Sequence, residues 1–122
     1  MIVAGFGFRG AASVESLRDA LARTGGVPDA LAVPADKARA ACFQTLARAL
    51  GVPVIAVPAP DLRQAQTDTR SARILRLRGT GSVAEAAALC AAGPGATLLA
   101  PRSLSGDRMA TAALAGGPGQ RA

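Results

Sequence analysis

Short apolar runs alternate with amphipathic stretches along the whole chain. Met1-Ile2-Val3-Ala4-Gly5 is apolar, β-branched in the middle and glycine-terminated, which predicts a buried first strand. Ser13 then caps a helix in which Leu17, Ala20, Leu21 and Thr24 recur at 0, 3, 4 and 7. Glu15 sits in the electropositive first turn of that helix, and Gly25-Gly26 stops it. Residues 30–33 form a second apolar run. Beyond Pro34 and Asp36 a helix is expected that places Phe43, Leu46, Ala47 and Leu50 on one face and ends at Gly51. Residues 52–57 read as a third strand, with Pro53 at its start because proline cannot donate to a central ladder.

Residues 61–69 are polar and rich in turn formers, so a surface connection, and a place for a lid, is expected there. Over residues 71–78, Ser71 as a cap and Gly79 as a stop favour a short helix. Ser82-Val83-Ala84-Glu85 is a capping box, and the helix it opens carries Val83, Ala86, Ala87 and Cys90 at 0, 3, 4 and 7. Gly93-Pro94-Gly95 ends it, residues 96–100 make a fourth strand, and residues 109–114 return as a fifth after a polar turn. The span 102–108 is too short for a helical crossover, so the last pair is expected to be antiparallel. Residues 116–122 have little to bury and are expected to form a flexible C-terminal tail behind one domain over residues 1–115. Strands alternating with helices predict an α/β three-layer sandwich with a mostly parallel sheet of four to five strands, the last antiparallel. In such a sheet ligands bind beyond the carboxyl ends of the strands.

Composition narrows the chemistry. In 122 residues there is room for one core, and with half the residues hydrophobic and 18% charged the chain folds rather than staying disordered. It holds no His, Trp or Tyr and only three Phe, which removes imidazole catalysis, His-ligated metal and most base stacking. Thirteen of the fourteen cations are Arg, and the net charge of +6 calls for an anionic partner. Arg70, Arg73 and Arg76, with Arg78 nearby, share one helical face; without interleaved aromatics this reads as a solvated basic face, and no nucleic-acid partner is expected. Cys42 and Cys90 lie on or beside apolar stripes and read as reduced core thiols. No metal site and no cofactor are predicted. The N-terminus lacks a basic n-region and no apolar run reaches membrane-spanning length, so a cytoplasmic protein without a membrane partner is expected.

Gly5-Phe6-Gly7-Phe8-Arg9-Gly10 matches GxGxxG after a strand and before a helix. Three readings follow. A dinucleotide fingerprint also wants an acidic residue near the end of the second strand, for which Asp36 is the only candidate. The other two are a glycine turn that lets the chain leave the strand sharply, and a backbone anion nest flanked by Arg9. Asp36-Lys37 follows the second strand and Arg102 the fourth, so with Arg9 three cations are expected on one carboxyl edge. Alternatively, Asp36 merely caps the following helix and Lys37 is its solvated first turn.

Taken in order, Gly5-Phe6-Gly7-Phe8-Arg9, Asp36-Lys37, the run from Gly79-Thr80-Gly81-Ser82 through Val83-Ala84-Glu85-Ala86-Ala87-Ala88-Leu89, and Asp107-Arg108-Met109-Ala110-Thr111-Ala112-Ala113-Leu114-Ala115 resemble one family. It is the CobE and CbiG C-terminal domain family of cobalamin biosynthesis, and the resemblance covers about residues 1–115. It implies a role in building the corrin ring. Full-length CbiG hydrolyses the ring lactone of cobalt-precorrin-5A and releases a two-carbon aldehyde, whereas the stand-alone CobE serves the aerobic route. The other CbiG domains are not in this chain.

Corrinoid precursors are apolar macrocycles fringed with acetate and propionate carboxylates, a match for an Arg-rich rim around an apolar cleft. The expected partner is therefore an anionic precorrin or corrinoid intermediate, with other enzymes of the pathway as further partners. The residues expected to bind it are Gly5, Gly7, Phe8, Arg9, Asp36, Lys37 and Arg102. A lactone hydrolase would need a base, which without His falls to Glu15, Asp36 or Glu85, or to Lys37 with a shifted pKa. Both glutamates also have a structural reason to sit in first turns, Glu85 as the return arm of its capping box. Three function classes stand at this point: a corrinoid-binding or accessory protein, a lactone hydrolase of the CbiG kind, and a nucleotide-binding module using the GxGxxG turn.

Overall fold

Alternate residues of the first strand part into two separate cores, because successive side chains of a strand point to opposite faces. Ala4 and Phe6 join Leu17, Leu21, Phe43 and Leu46 on one face, while Val3 joins Ala32, Val57 and Ala87 on the other. The computed structural model describes residues 1–70 and 83–117. Within them run β1 (Ile2–Phe8), α1 (Val14–Thr24), β2 (Ala30–Pro34), a 3-10 turn (Ala35–Lys37), α2 (Ala41–Leu50), β3 (Val54–Val57), α3 (Ala59–Arg70), α4 (Val83–Ala92), β4 (Thr97–Leu104) and β5 (Ala110–Gly116). Helices α1 and α2 supply the first core; α3 and α4 pack together and supply the second. The result is a three-layer α/β sandwich.

The sheet order is β3-β2-β1-β5-β4. Pairs β1–β2 and β2–β3 are parallel, while β1–β5 and β4–β5 are antiparallel, so β5 alone runs against the other four strands. The hairpin foreseen between the last two strands is present, and it returns β5 into the gap beside β1. Helix α1 begins as predicted: Ser13 Oγ accepts from the Ser16 N–H at 3.2 Å and Ser16 Oγ accepts from the Ser13 N–H at 3.1 Å. Such a cap stabilises a helix by about 1 kcal/mol. Left-handed Gly25 (φ 81°) and Gly51 (φ 69°) end α1 and α2.

Five details depart from the sequence reading. Strand β1 does not stop at Gly5 but runs to Phe8, with Gly5 opposite Ala32 and Ala113 and Gly7 opposite Thr111. Gly5 is a glycine for packing: α4 lies so close that an added Cβ would fall 2.5 Å from Ala88 N and 2.9 Å from Ala88 Cβ. Residues 61–69 are not a loop but most of α3, whose Leu62 packs on the second core and whose Asp61 favours the first turn. Asp36 lies in the 3-10 turn and does not cap α2, whose N-cap is Ala40. Arg102 does not follow β4 but lies inside it, because register shifts between Leu98 and Ala100 and between Ala100 and Ser103 absorb Pro101 on this edge strand. Finally, β5 extends through Gly116, paired with Ile2 and Thr97. The helix expected over 71–78, Arg73, Arg76, Arg78 and residues 118–122 lie outside the described residues; Arg70 is the last residue of α3.

Candidate functional site at the carboxyl edge of the sheet

The connection from β1 leads to β2 on one side, whereas the chain reaches β4 on the other side through α3 and α4. Strand order therefore reverses between β1 and the β4–β5 hairpin, the place where open α/β sheets hold their ligands. A hollow of about 230 Å³ opens there. Phe8, Leu104, Met109 and Ala110 give it apolar walls, Gly7 and Thr111 line it from the sheet, and Arg9 and Arg108 bring the charge. Thr111 Oγ1 donates to the Gly7 carbonyl at 3.3 Å, and the Arg9 N–H donates to the Met109 carbonyl at 2.9 Å, so the end of β1 and the hairpin form one unit.

The hairpin is fixed from the side by α1. Ser16 Oγ donates to Asp107 Oδ2 at 2.5 Å, Ser105 Oγ donates to Asp107 Oδ1 at 2.6 Å, and the Met109 N–H donates to the same Oδ1 at 3.1 Å. These bonds, the Ser105 hydroxyl first, hold the Asp107 carboxyl below the usual carboxylate range. Asp19 Oδ2 accepts from the Gly106 N–H at 2.6 Å and Asp19 Oδ1 from Arg23 Nε at 3.0 Å, and these contacts, the amide first, lower its pKa as well.

Of the residues singled out in the sequence, Gly7, Phe8 and Arg9 line the hollow. Half-buried Lys37 stands beside it, its Nζ 5.3 Å from the centre of the Phe8 ring, and that ring stacks on Phe43 at 6.1 Å, which meets Phe6 edge-on at 5.7 Å. Lys37 thus covers the Phe8 ring, while Arg9, the next residue along the chain, lines the hollow. Gly5 lies beneath α4, Asp36 is exposed on the 3-10 turn, and exposed Arg102 is held by its amide, which donates to Glu85 Oε2 at 2.9 Å. Glu85 is buried at 1% exposure and Glu15 is exposed on α1; neither glutamate nor Asp36 lines the hollow. The GxGxxG match forms no strand-to-helix turn, since both of its first glycines are strand residues.

Arg108, Leu104 and Met109 were missed in the sequence. The signal was available: an antiparallel strand begins where its parallel neighbours end, so residues just before β5 had to meet Arg9 at one edge. Among the described residues no cluster of three or more Cys, Asp or Glu is placed to hold a metal ion, and no helix is long and apolar enough to cross a membrane.

Comparison with known proteins agrees with this architecture. Residues 2–115 match the family described as cobalamin synthesis G C-terminus. The chain belongs to this family. Its fold matches the crystal structure of cobalamin biosynthesis protein chiG from Agrobacterium tumefaciens str. C58, with 35% identity, a TM-score of 0.79 and coverage of 97% of this chain and 99% of that one. It is also similar to CobE, a protein of the cobalamin (vitamin B12) pathway, with 36% identity, a TM-score of 0.73 and coverage of 94% and 89%. A proposed cobalamin biosynthesis protein G homolog from Sulfolobus solfataricus shares the fold at 17% identity and a TM-score of 0.69, with 98% of this chain matching 37% of that one. No curated protein sequence matches. The family member described here is thus a cobalamin biosynthesis protein of the CbiG and CobE type.

Proposed function

We propose that this chain binds a polycarboxylate corrinoid or precorrin intermediate at the carboxyl edge of its sheet. One observation carries the reading: Arg9 stands on the lip of an apolar hollow with Lys37 on the next loop, and neither pairs with a carboxylate among the described residues. Charge left uncompensated beside an apolar wall suits a greasy disc with an acidic fringe, whose carboxylates accept charge-assisted hydrogen bonds while its ring displaces water. Family membership supplies the pathway in which such compounds occur. A nucleotide suits the place less well, because strand residues Gly5 and Gly7 offer no amide cradle for a pyrophosphate. Lactone hydrolysis finds no base in the hollow among the described residues, and we do not adopt it.

Titration of the purified chain with hydrogenobyrinic acid tests the reading. Binding at moderate salt that weakens in Arg9→Ala supports it, whereas no binding, or equal binding by that variant, rejects it.

A further inference from the structure

Arg108 has φ 64°, making it the only non-glycine residue with positive φ among the described residues. Glycine, which has no Cβ, and asparagine, whose short amide bonds locally, hold that conformation readily, while in arginine the Cβ crowds the following carbonyl without such relief. The turn that imposes it is fixed from three directions. The Arg108 N–H donates to the Ser105 carbonyl at 2.9 Å, Asp107 takes the hydroxyl of Ser16 on α1, and the next residue, Met109, accepts from the Arg9 N–H on the β1 side. Strain that survives inside so firm a frame points to a function for the side chain it carries.

Arg108 lines the hollow together with Arg9, and its guanidinium is paired with no carboxylate among the described residues. The hairpin thus places a second guanidinium, with its bidentate fork, at the mouth of a site whose other cation enters from the end of β1. We propose that Arg108 is the principal carboxylate-gripping residue of the hollow, and that its left-handed backbone is strain retained to keep the guanidinium there. This inference rests on the corrinoid-binding reading and adds the residue that decides affinity. The ligand class is a carboxylate-fringed compound large enough to cover both arginines.

Arg108→Asn removes the guanidinium while suiting the left-handed backbone, and Arg108→Lys keeps a charge without the fork. Both are titrated with hydrogenobyrinic acid beside wild type and Arg9→Ala, and each is melted. The expected result is a Tm for Arg108→Asn equal to or above wild type, roughly 10- to 100-fold weaker binding, and intermediate binding by Arg108→Lys. Wild-type binding that weakens in Arg9→Ala but not in Arg108→Asn overturns this inference and leaves the corrinoid reading standing. A wild type that binds nothing removes both. A Tm for Arg108→Asn well below wild type overturns the claim of retained strain.

Discussion

Ser16 Oγ donates a 2.5 Å hydrogen bond to Asp107 Oδ2, joining the first turn of α1 to the β4–β5 hairpin across 91 residues of sequence. The contact turns a helix cap into a support for the site. Ser16 completes the capping box with Ser13 and, from the same hydroxyl, anchors the loop that carries Arg108.

Acid should release this loop. Asp107 is held below the usual carboxylate range by the Ser105 hydroxyl first, then the Ser16 hydroxyl and the Met109 amide, so the folded chain favours the ionised form more than the unfolded chain does. The resulting stability is whole above the ordinary Asp pKa of about 3.9 and is lost as pH falls toward the depressed value. Asp19, lowered by the Gly106 amide and Arg23, acts in the same window. Melting curves from neutral pH downward should show a Tm that drops below about pH 4. Asp107→Asn should melt lower at neutral pH and show a shallower acid limb; an unchanged acid limb would assign the whole effect elsewhere.

The first and third glycines of the GxGxxG match should behave in opposite ways. Gly5→Ala drives a methyl into the backbone of α4, where neither partner is a flexible chain end, and should cost at least about 2 kcal/mol in urea unfolding. Gly10→Ala meets nothing within 4 Å and should stay within about 0.5 kcal/mol of wild type. Comparable losses at both positions would contradict the packing role assigned to Gly5.

These two glycines also show where sequence reasoning reaches its limit. The order of the strands, the three Gly-stopped helices α1, α2 and α4, and the reversed last strand were legible, because hydrophobic period and turn chemistry are local properties. Gly5 was misread because a glycine-rich strand end and a glycine turn look alike until α4, nearly eighty positions later, is laid against it. α3 was missed because its one clear core residue among the described side chains, Leu62, gives no period. Part of the candidate site was likewise legible: Phe8 lies at the end of the first strand and Arg9 and Lys37 follow the first and second strands, whereas Arg108 depends on which strand β5 sits beside.

Neither NAD(P) nor ATP should raise the Tm. A ligand at a hundredfold excess over its Kd would stabilise the fold by about 2.7 kcal/mol, well within the reach of a thermal shift. A clear upward shift would restore the nucleotide reading despite the strand geometry of Gly5 and Gly7.

Lys37 should matter less than either arginine. Its ammonium rests over the Phe8 ring, a contact worth about 0.5–1 kcal/mol, and it lies outside the lining of the hollow. Lys37→Met, which keeps the stem against the ring, should weaken corrinoid binding only about two- to fivefold, as expected for a charge pair still screened by solvent. A loss as large as that of Arg9→Ala in the same titration would move the centre of the site from the hairpin to the 3-10 turn.

Cys90 should be a slow nucleophile. Burial against the second core raises its thiol pKa, and the negative charge of Asp61 on α3 adds to the effect, so the thiolate is scarce at neutral pH. Alkylation by iodoacetamide near pH 8 should therefore be slower at Cys90 in the folded chain than in the urea-unfolded one, with site-resolved peptide mass spectrometry separating it from Cys42. Asp61→Asn should quicken it modestly, since only the smaller of the two causes is removed. The same raised pKa favours the fold below the ordinary Cys value of about 8.5, and that contribution is lost as pH rises through the folded value. Equal labelling rates in folded and unfolded protein would mean that α3 does not hold its place over Cys90.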